Sequence, residues 1–254
     1  MNAREYRAMF EAEDRHWWYV GLHELVVAIV GRLAAGRREP LRILDAGCGT
    51  GRLMQLLGRA GAVEGFDVSP EAVDFCRRRG LERVRVADLN APALPECAYD
   101  VITVIDVLYH RGVRDEAAAL GSLRAALAPG GVLIRNDPAF EALRSDHDRA
   151  VHTRERYRPP RVRQLLLAAG LEPEIVTYRV AAAAPAIALH RLARRWGRAV
   201  AETDVRSDVK LPGAGLNRAL LALLRAENRL IARTGLPFGT SVFAVARRPA
   251  VSGT

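Results

Sequence analysis

The residues best suited to chemistry are Asp45-Ala46-Gly47-Cys48-Gly49-Thr50-Gly51. An apolar run, Leu41 to Leu44, precedes them and Leu53-Met54-Gln55-Leu56-Leu57 follows, so they read as the turn from a buried strand into a helix. Three alternate glycines let the backbone turn sharply and come close to a ligand. The helix behind them offers unpaired N–H groups at its start. Such a turn can hold a nucleotide-like cofactor against an α/β sheet.

The details select among cofactors. Pyrophosphate-binding dinucleotide sites use Gly-x-Gly-x-x-Gly, but the third glycine's place is taken here by Arg52. Asp45, at the strand's end, would repel a pyrophosphate and attract an ammonium group. S-adenosylmethionine carries an amino acid and a sulfonium but no phosphate, so it suits the loop better than NAD. Ala62 to Asp67 reads as a second strand ending in an acid twenty positions after Gly47, where a βαβ unit places an acceptor for ribose hydroxyls. Val68 follows, and Ser69 with Pro70 form an N-cap and first helical position. A third strand, Arg83 to Ala87, ends at Asp88-Leu89; the acid can accept from an adenine amino group and the leucine can cover the ring.

These residues, with Tyr99 to His110 and Leu127-Ala128-Pro129-Gly130-Gly131-Val132-Leu133-Ile134, resemble the class I S-adenosylmethionine-dependent methyltransferases over about residues 40 to 136. The resemblance implies that Asp45, Gly47, Cys48, Gly49 and Gly51 hold the methionine end. Asp67 would take the ribose, and Asp88 with Leu89 the adenine; Val68 is a further cofactor-binding candidate. Ile105 and Asp106 would line the passage to the transferred methyl, leaving S-adenosylhomocysteine as product. The flanks resemble a bacterial subgroup in His16 to Gly21, Asp137 to Phe140, Leu143 to Asp148, His152, Arg154 to Tyr157 and Leu236 to Ser241. Gly21-Leu22-His23 stands where that subgroup often has Gly-Arg-Arg, and Glu155 interrupts its basic pair. Trp17, Trp18 and Tyr157 are the substrate-binding candidates.

Methyl transfer is an in-line displacement, so the chain must align a nucleophile and, for a hydroxyl or acidic carbon, remove a proton. His147, His110 and His152 are the candidate bases, because imidazole titrates near neutrality. Asp146 and Asp148 flank His147 and could orient its ring. The same cluster is an alternative metal site, but its spacing matches no strong metal motif and no metal is assigned. Trp17, Trp18 and Tyr19 cannot share one helix face. An aromatic among them could stabilise a sulfonium through cation–π attraction or wall an apolar substrate.

The surrounding elements alternate strand and helix to about residue 180, which implies an α/β, Rossmann-like, doubly wound and mostly parallel seven-stranded sheet. We expect one domain over residues 1–254: N-terminal helices to 38, a cofactor-binding core over 39–180, a helical insertion over 181–238, and a last strand and tail over 239–254. Pro159-Pro160 start a helix that Gly170 ends. Glu174 to Tyr178 and Ser241 to Val245 are the last two strands. The insertion holds helices over Ala186 to Val200 and Leu216 to Ile231, the second with an apolar stripe of Leu216, Leu220, Leu223, Leu224, Leu230 and Ile231. It could form a lid with the N-terminal aromatics, lie on a membrane surface, or pack against the core.

Half of the 254 residues are hydrophobic, enough for one sizeable core. Cys48, Cys76 and Cys97 fit no disulfide framework, and Met1 to Tyr6 lacks a signal-peptide core, so a cytoplasmic location is expected. No stretch reaches the roughly eighteen apolar residues of a spanning helix. The net charge of +9 is almost all arginine, with Lys210 the sole lysine, and no RNA-binding module accompanies it. Three function classes follow: methyl transfer to O, N or C of a small molecule, such as a secondary metabolite, sugar or lipid-linked intermediate; RNA methylation; and cofactor binding without transfer. The RNA class is weakened because Asn136-Asp137-Pro138-Ala139 lacks a second proline and follows strand five rather than four.

Overall fold

The computed structural model describes residues 3–189, 211–231 and 234–250, with the side chains of residues 3, 4, 146 and 147 outside the description. Two helices, α1 (Ala3–Ala12) and α2 (Trp17–Ala34), precede the first strand. The core then alternates β1 (Leu41–Ala46), α3 (Arg52–Leu57), β2 (Gly61–Asp67), α4 (Pro70–Arg78), β3 (Val84–Val86) and β4 (Tyr99–Ile105). It continues through α5 (Glu116–Ala126), β5 (Leu127–Pro138), the short α6 (Asp146–Ala150), α7 (Pro159–Ala168) and β6 (Glu172–Arg179). A long connection carrying α8 (Ala214–Ile231) leads to β7 (Ser241–Arg247).

The strands form one sheet in the order β3-β2-β1-β4-β5-β7-β6. The pairings among β1 to β5 are parallel, and β7 runs antiparallel between β5 and β6. Both faces are covered, so the central strands are apolar on both sides rather than alternating. Leu44, Ile102, Leu133 and Ala244 pack on one face, while Ile43, Val101, Val132 and Phe243 pack on the other. The chain winds outward from β1 to β3, then returns to place β4 on β1's other side. That reversal falls at the carboxyl ends of β1 and β4, the place where open α/β sheets bind ligands. Ser69 caps α4 by accepting from the Ala72 N–H, with Pro70 in the first turn as expected.

Helix α8 packs along α2. Gly21 makes this possible, since a Cβ there would lie 2.7 Å from Leu224 Cδ1. Asn228 Nδ2 donates to the Gly21 carbonyl at 2.7 Å, Arg225 pairs with Glu24, and Asn217 accepts from the Trp17 N–H at 2.9 Å. The expected stripe on α8 needs correction. Leu224 and Ile231 are buried, but Leu216, Leu223 and Leu230 are each about half exposed. The inward line instead runs through Leu220, Leu224, Glu227 and Ile231, and Glu227 is buried because its carboxylate accepts N–H groups from Val180, Ala181 and Ala182. Residues 184–189 are helical, and the rest of the helix expected to Val200 lies outside the described residues. No described helix is long and apolar enough to cross a membrane.

A buried charged network fixes the chain after β5. Arg135, without solvent exposure, donates to Asp137 at 2.7 Å and Glu116 at 3.1 Å. Glu116 also accepts from Arg154 at 3.0 Å and from the Tyr157 hydroxyl at 2.7 Å. Arg156 holds Asp148 at 2.6 Å and the Ala139 carbonyl at 2.9 Å. Removing one partner from such a network leaves a buried charge short of a bond. Tyr157→Phe should therefore lower unfolding free energy by about 1.5–3 kcal/mol in urea titrations, with the native fold retained.

Candidate functional site

The parallel register sets the tips of β1, β2 and β4 side by side, with Asp45 opposite Gly65 on one neighbour and Thr103 on the other. The loop after β1 is pinned to β2, because Gly47 and Cys48 both donate to the Phe66 carbonyl, at 2.8 and 2.9 Å. Gly47 has φ +79°, and a Cβ there would collide with Val107. Gly49 has φ +53° and lies under Met9. The left-handed φ favours glycine at both positions, and at Gly47 the Val107 contact excludes a side chain as well. Gly51, also left-handed, precedes α3. The Cys48 side chain turns away to Cys76, Sγ to Sγ 3.8 Å, so this residue offers its backbone to the loop.

Asp45 is almost fully buried and accepts the Thr103 hydroxyl at 2.6 Å. Burial pushes its carboxyl up to about 7, the Thr103 bond pulls it back, and the charges of Asp67 and Glu13 raise it further. No basic side chain pairs with it among the described residues. Asp67 is differently held: Oδ2 accepts the Gly49 N–H, and Oδ1 accepts the Ser69 N–H and the Tyr6 hydroxyl, each at 3.0 Å. Helix α1 therefore lies across the loop. Beyond Tyr6 and Met9, its end brings Glu13 to the Thr50 hydroxyl, and Arg79 holds Glu13 at 2.7 Å. Phe10 stacks on Phe75 with centroids 4.7 Å apart.

A glycine cradle flanked by a buried acid without a cation and by a second acid one strand over suits a cationic amino acid joined to a ribose. Farther along, Val68 presents an exposed apolar side chain beside Asp67. Asp88 is exposed and accepts from Asn90 N–H and Nδ2 at 2.9 and 2.6 Å. Leu89 is buried in the core, with little side chain left for a ligand.

The end of β4 forms the other half of the site. Asp106 has φ +55°, follows half-buried Ile105, and takes both Asn136 Nδ2 bonds at 3.1 and 3.2 Å. Burial, and secondly the charge of Asp137, raise its carboxyl to about 8. His110 approaches the Val151 carbonyl through Nδ1 at 2.5 Å and stacks on Tyr109. A carbonyl only accepts, so the proton belongs on Nδ1 and the lone pair on Nε2. Burial lowers this imidazole to about 4.

The other sequence candidates scatter. His152 is exposed, with its backbone at φ +55°. His147 lies in α6 and its side chain is outside the described residues, while Asp148 beside it is committed to Arg156 and to Ser145. Trp17 packs against Val180, Ala183 and Leu224. Trp18 lies under the Arg179 guanidinium, 5.9 Å from its ring centroid. Tyr157 has no exposed surface and belongs to the Arg135–Glu116 network. Tyr6, Thr103, Asn136 and Arg179 join the site without a sequence motif; the one sequence hint is a polar residue in the carboxyl half of a strand, as in Thr103, Asn136 and Arg179.

Removing the hydroxyl that holds Asp45 in Thr103→Val should raise its carboxyl by a further unit or so, read from side-chain carbon shifts in an NMR pH titration. A folded acid raised this way favours stability below its unfolded value near 4 and loses that contribution as pH climbs through about 7. The pH-dependent part of stability over this window should be smaller in Asp45→Asn.

Comparison with known proteins agrees with this geometry. Residues 18–174 match the model of a family described as a methyltransferase domain. A ubiquinone biosynthesis O-methyltransferase of Bordetella bronchiseptica is 32% identical over 150 residues, covering 52% of this chain and 61% of the relative. Among solved structures, a Haloferax volcanii protein in complex with the Trm112 methyltransferase activator aligns with TM-score 0.60 at 18% identity, over 99% of this chain and 96% of that one. Phosphoethanolamine N-methyltransferase 2 of Haemonchus contortus, solved with S-adenosyl-L-methionine, aligns with TM-score 0.56 at 16% identity, over 88% and 52%. With well over half of its length matched, the chain belongs to the methyltransferase domain family and has the fold of its S-adenosylmethionine-dependent members.

Proposed function

We propose that this protein transfers a methyl group from S-adenosylmethionine to an oxygen of a small molecule. The carrying observation is Asp45, buried and without a cation among the described residues, beside a loop whose Gly47, Gly49 and Gly51 all have left-handed φ, with Asp67 one strand away. The O-methyltransferase relatives support oxygen as the acceptor atom, although the match spans about 61% of their length.

In this reading Asp45 and the loop from Gly47 to Gly51 hold the amino acid end, Asp67 the ribose, and Val68 and Asp88 the adenine. The cofactor, when bound, supplies an electrophilic methyl on a positively charged sulfur. The chain's own task is alignment and proton removal. Asp106, at about 8, is a base matched to a hydroxyl proton near neutral pH. His110 sits four residues on, and its Nε2 is a weaker alternative at about 4. His147, the base favoured by sequence, stays a candidate from its position in α6.

Two measurements test this. Affinity for S-adenosylmethionine, read by calorimetry, should rise several-fold from pH 6 to 7.5 as Asp45 ionises, and the rise should flatten in Asp45→Asn. Using labelled cofactor and a phenolic or alcoholic acceptor, kcat/KM should climb with pH through about 8. Asp106→Asn should lose that climb. Absence of S-adenosylmethionine binding at any pH would reject the function.

A further inference from the structure

Arg179 ends β6 on the sheet face that also carries Asn136. Asn136, Phe243 and Thr177 form one row across β5, β7 and β6, and Pro138, Ser241 and Arg179 form the next row toward the carboxyl edge. Its side chain has no solvent exposure, and among the described residues none of its three guanidinium nitrogens has a hydrogen-bond partner. A buried guanidinium normally spends its donors on carboxylates or carbonyls, as Arg135 and Arg156 do here. Leaving all of them unmade is costly.

The nearby charges do not neutralise it. Glu227 acts on Arg179 electrostatically, but its oxygens are taken by the N–H groups of Val180, Ala181 and Ala182. Asp106 is the other carboxyl in range, and at about 8 it is largely protonated at neutral pH. Burial brings Arg179 down only to about 10, so it stays charged. The Trp18 ring, 5.9 Å away, offers its face and no acceptor atom. At the same edge Asn136 Oδ1 is buried without a partner, an acceptor left over after Nδ2 binds Asp106.

We infer that Arg179 receives an oxyanion of the methyl acceptor, a carboxylate or a phosphoryl group, in a fork of paired N–H bonds beside Trp18, with Asn136 Oδ1 accepting a hydroxyl proton of the same molecule. The inference rests on the methyltransferase reading, which places the acceptor at the carboxyl edge of β4 and β5. The guanidinium lies against Gly21 and Trp18 of α2, so an anion reaches it only when that contact loosens.

The test uses the full-length protein with benzoate, its neutral isostere benzamide, and inorganic phosphate as probes, titrated with and without S-adenosylhomocysteine. Wild type should bind benzoate or phosphate at least tenfold more tightly than benzamide. Stronger binding of phosphate than benzoate would assign the oxyanion to a phosphoryl group, and the reverse to a carboxylate. Arg179→Met should lose the preference while melting at an unchanged or higher temperature, since it removes an unpaired buried charge. Arg179→Lys should keep part of it. Equal binding of benzoate and benzamide by wild type would overturn the inference, as would a preference that survives in Arg179→Met or a drop of several degrees in its melting temperature. Failure of S-adenosylhomocysteine to bind would instead strike the methyltransferase reading, because the anion preference is measured separately.

Discussion

One carboxylate, Asp67, ties together three parts of the chain that are remote in sequence. It accepts from the Gly49 N–H of the glycine loop, the Ser69 N–H at the start of α4, and the Tyr6 hydroxyl of α1. The first two bonds set the loop's height above the strand tips. The third brings α1 over the loop, where Met9 and Glu13 then find Gly49 and Thr50. A carboxyl group at the end of a buried strand is costly without partners; with three donors it is satisfied and becomes an anchor. Asp45, one strand away, has only the Thr103 hydroxyl among the described residues, and burial pushes its carboxyl up to about 7. That inequality separates their roles. The satisfied acid organises structure and keeps little capacity for a ligand beyond hydroxyl bonding, whereas the unsatisfied one gains most from an arriving cation.

The same logic runs along the carboxyl edge toward β6. Asn136 and Arg179 are buried with unpaired polar atoms among the described residues, and half-buried Asp106 beside them is held by Asn136 alone among the described side chains. In a low-dielectric setting such groups act strongly on whatever enters, because little water competes. Underneath, the network of Arg135, Glu116, Asp137, Arg154 and Tyr157 has most of its bonds made. It holds the segment after β5 in place, with His110 bridged to Thr153 across it. The two regions differ in degree: Arg135 leaves one guanidinium nitrogen and Asp137 one oxygen unpaired among the described residues, whereas all three guanidinium nitrogens of Arg179 are unpaired.

Much of this was legible in the sequence, for physical reasons. Parallel strands covered on both faces must be continuous apolar runs, so β1, β2 and β4 stood out, and an acid closing such a run is conspicuous. Ser69-Pro70 and Gly170 mark helix ends by local backbone chemistry, and the structure has α4 and α7 there. Contacts between distant segments left no such trace. Tyr6 meets Asp67 across sixty-one residues, and Glu227 meets Val180 across forty-seven. Helical periodicity identified α8 but could not tell which leucines α2 would cover. Tyr157 was read as a ligand contact from its motif, yet its hydroxyl is spent on Glu116. A tyrosine among arginines looks alike in both settings, and only the fold decides which way it faces.

The Asp45 and Asp67 strand tips should hold the amino-acid end and the ribose of one cationic nucleoside, and a crystal structure with S-adenosylhomocysteine checks this. The ligand's amino group should lie against the Asp45 carboxylate and a ribose hydroxyl within hydrogen-bond distance of Asp67, with its sulfur turned toward Asp106. A ligand bound with its amino acid end away from Asp45, or seated elsewhere than at the carboxyl ends of β1 and β4, would contradict it.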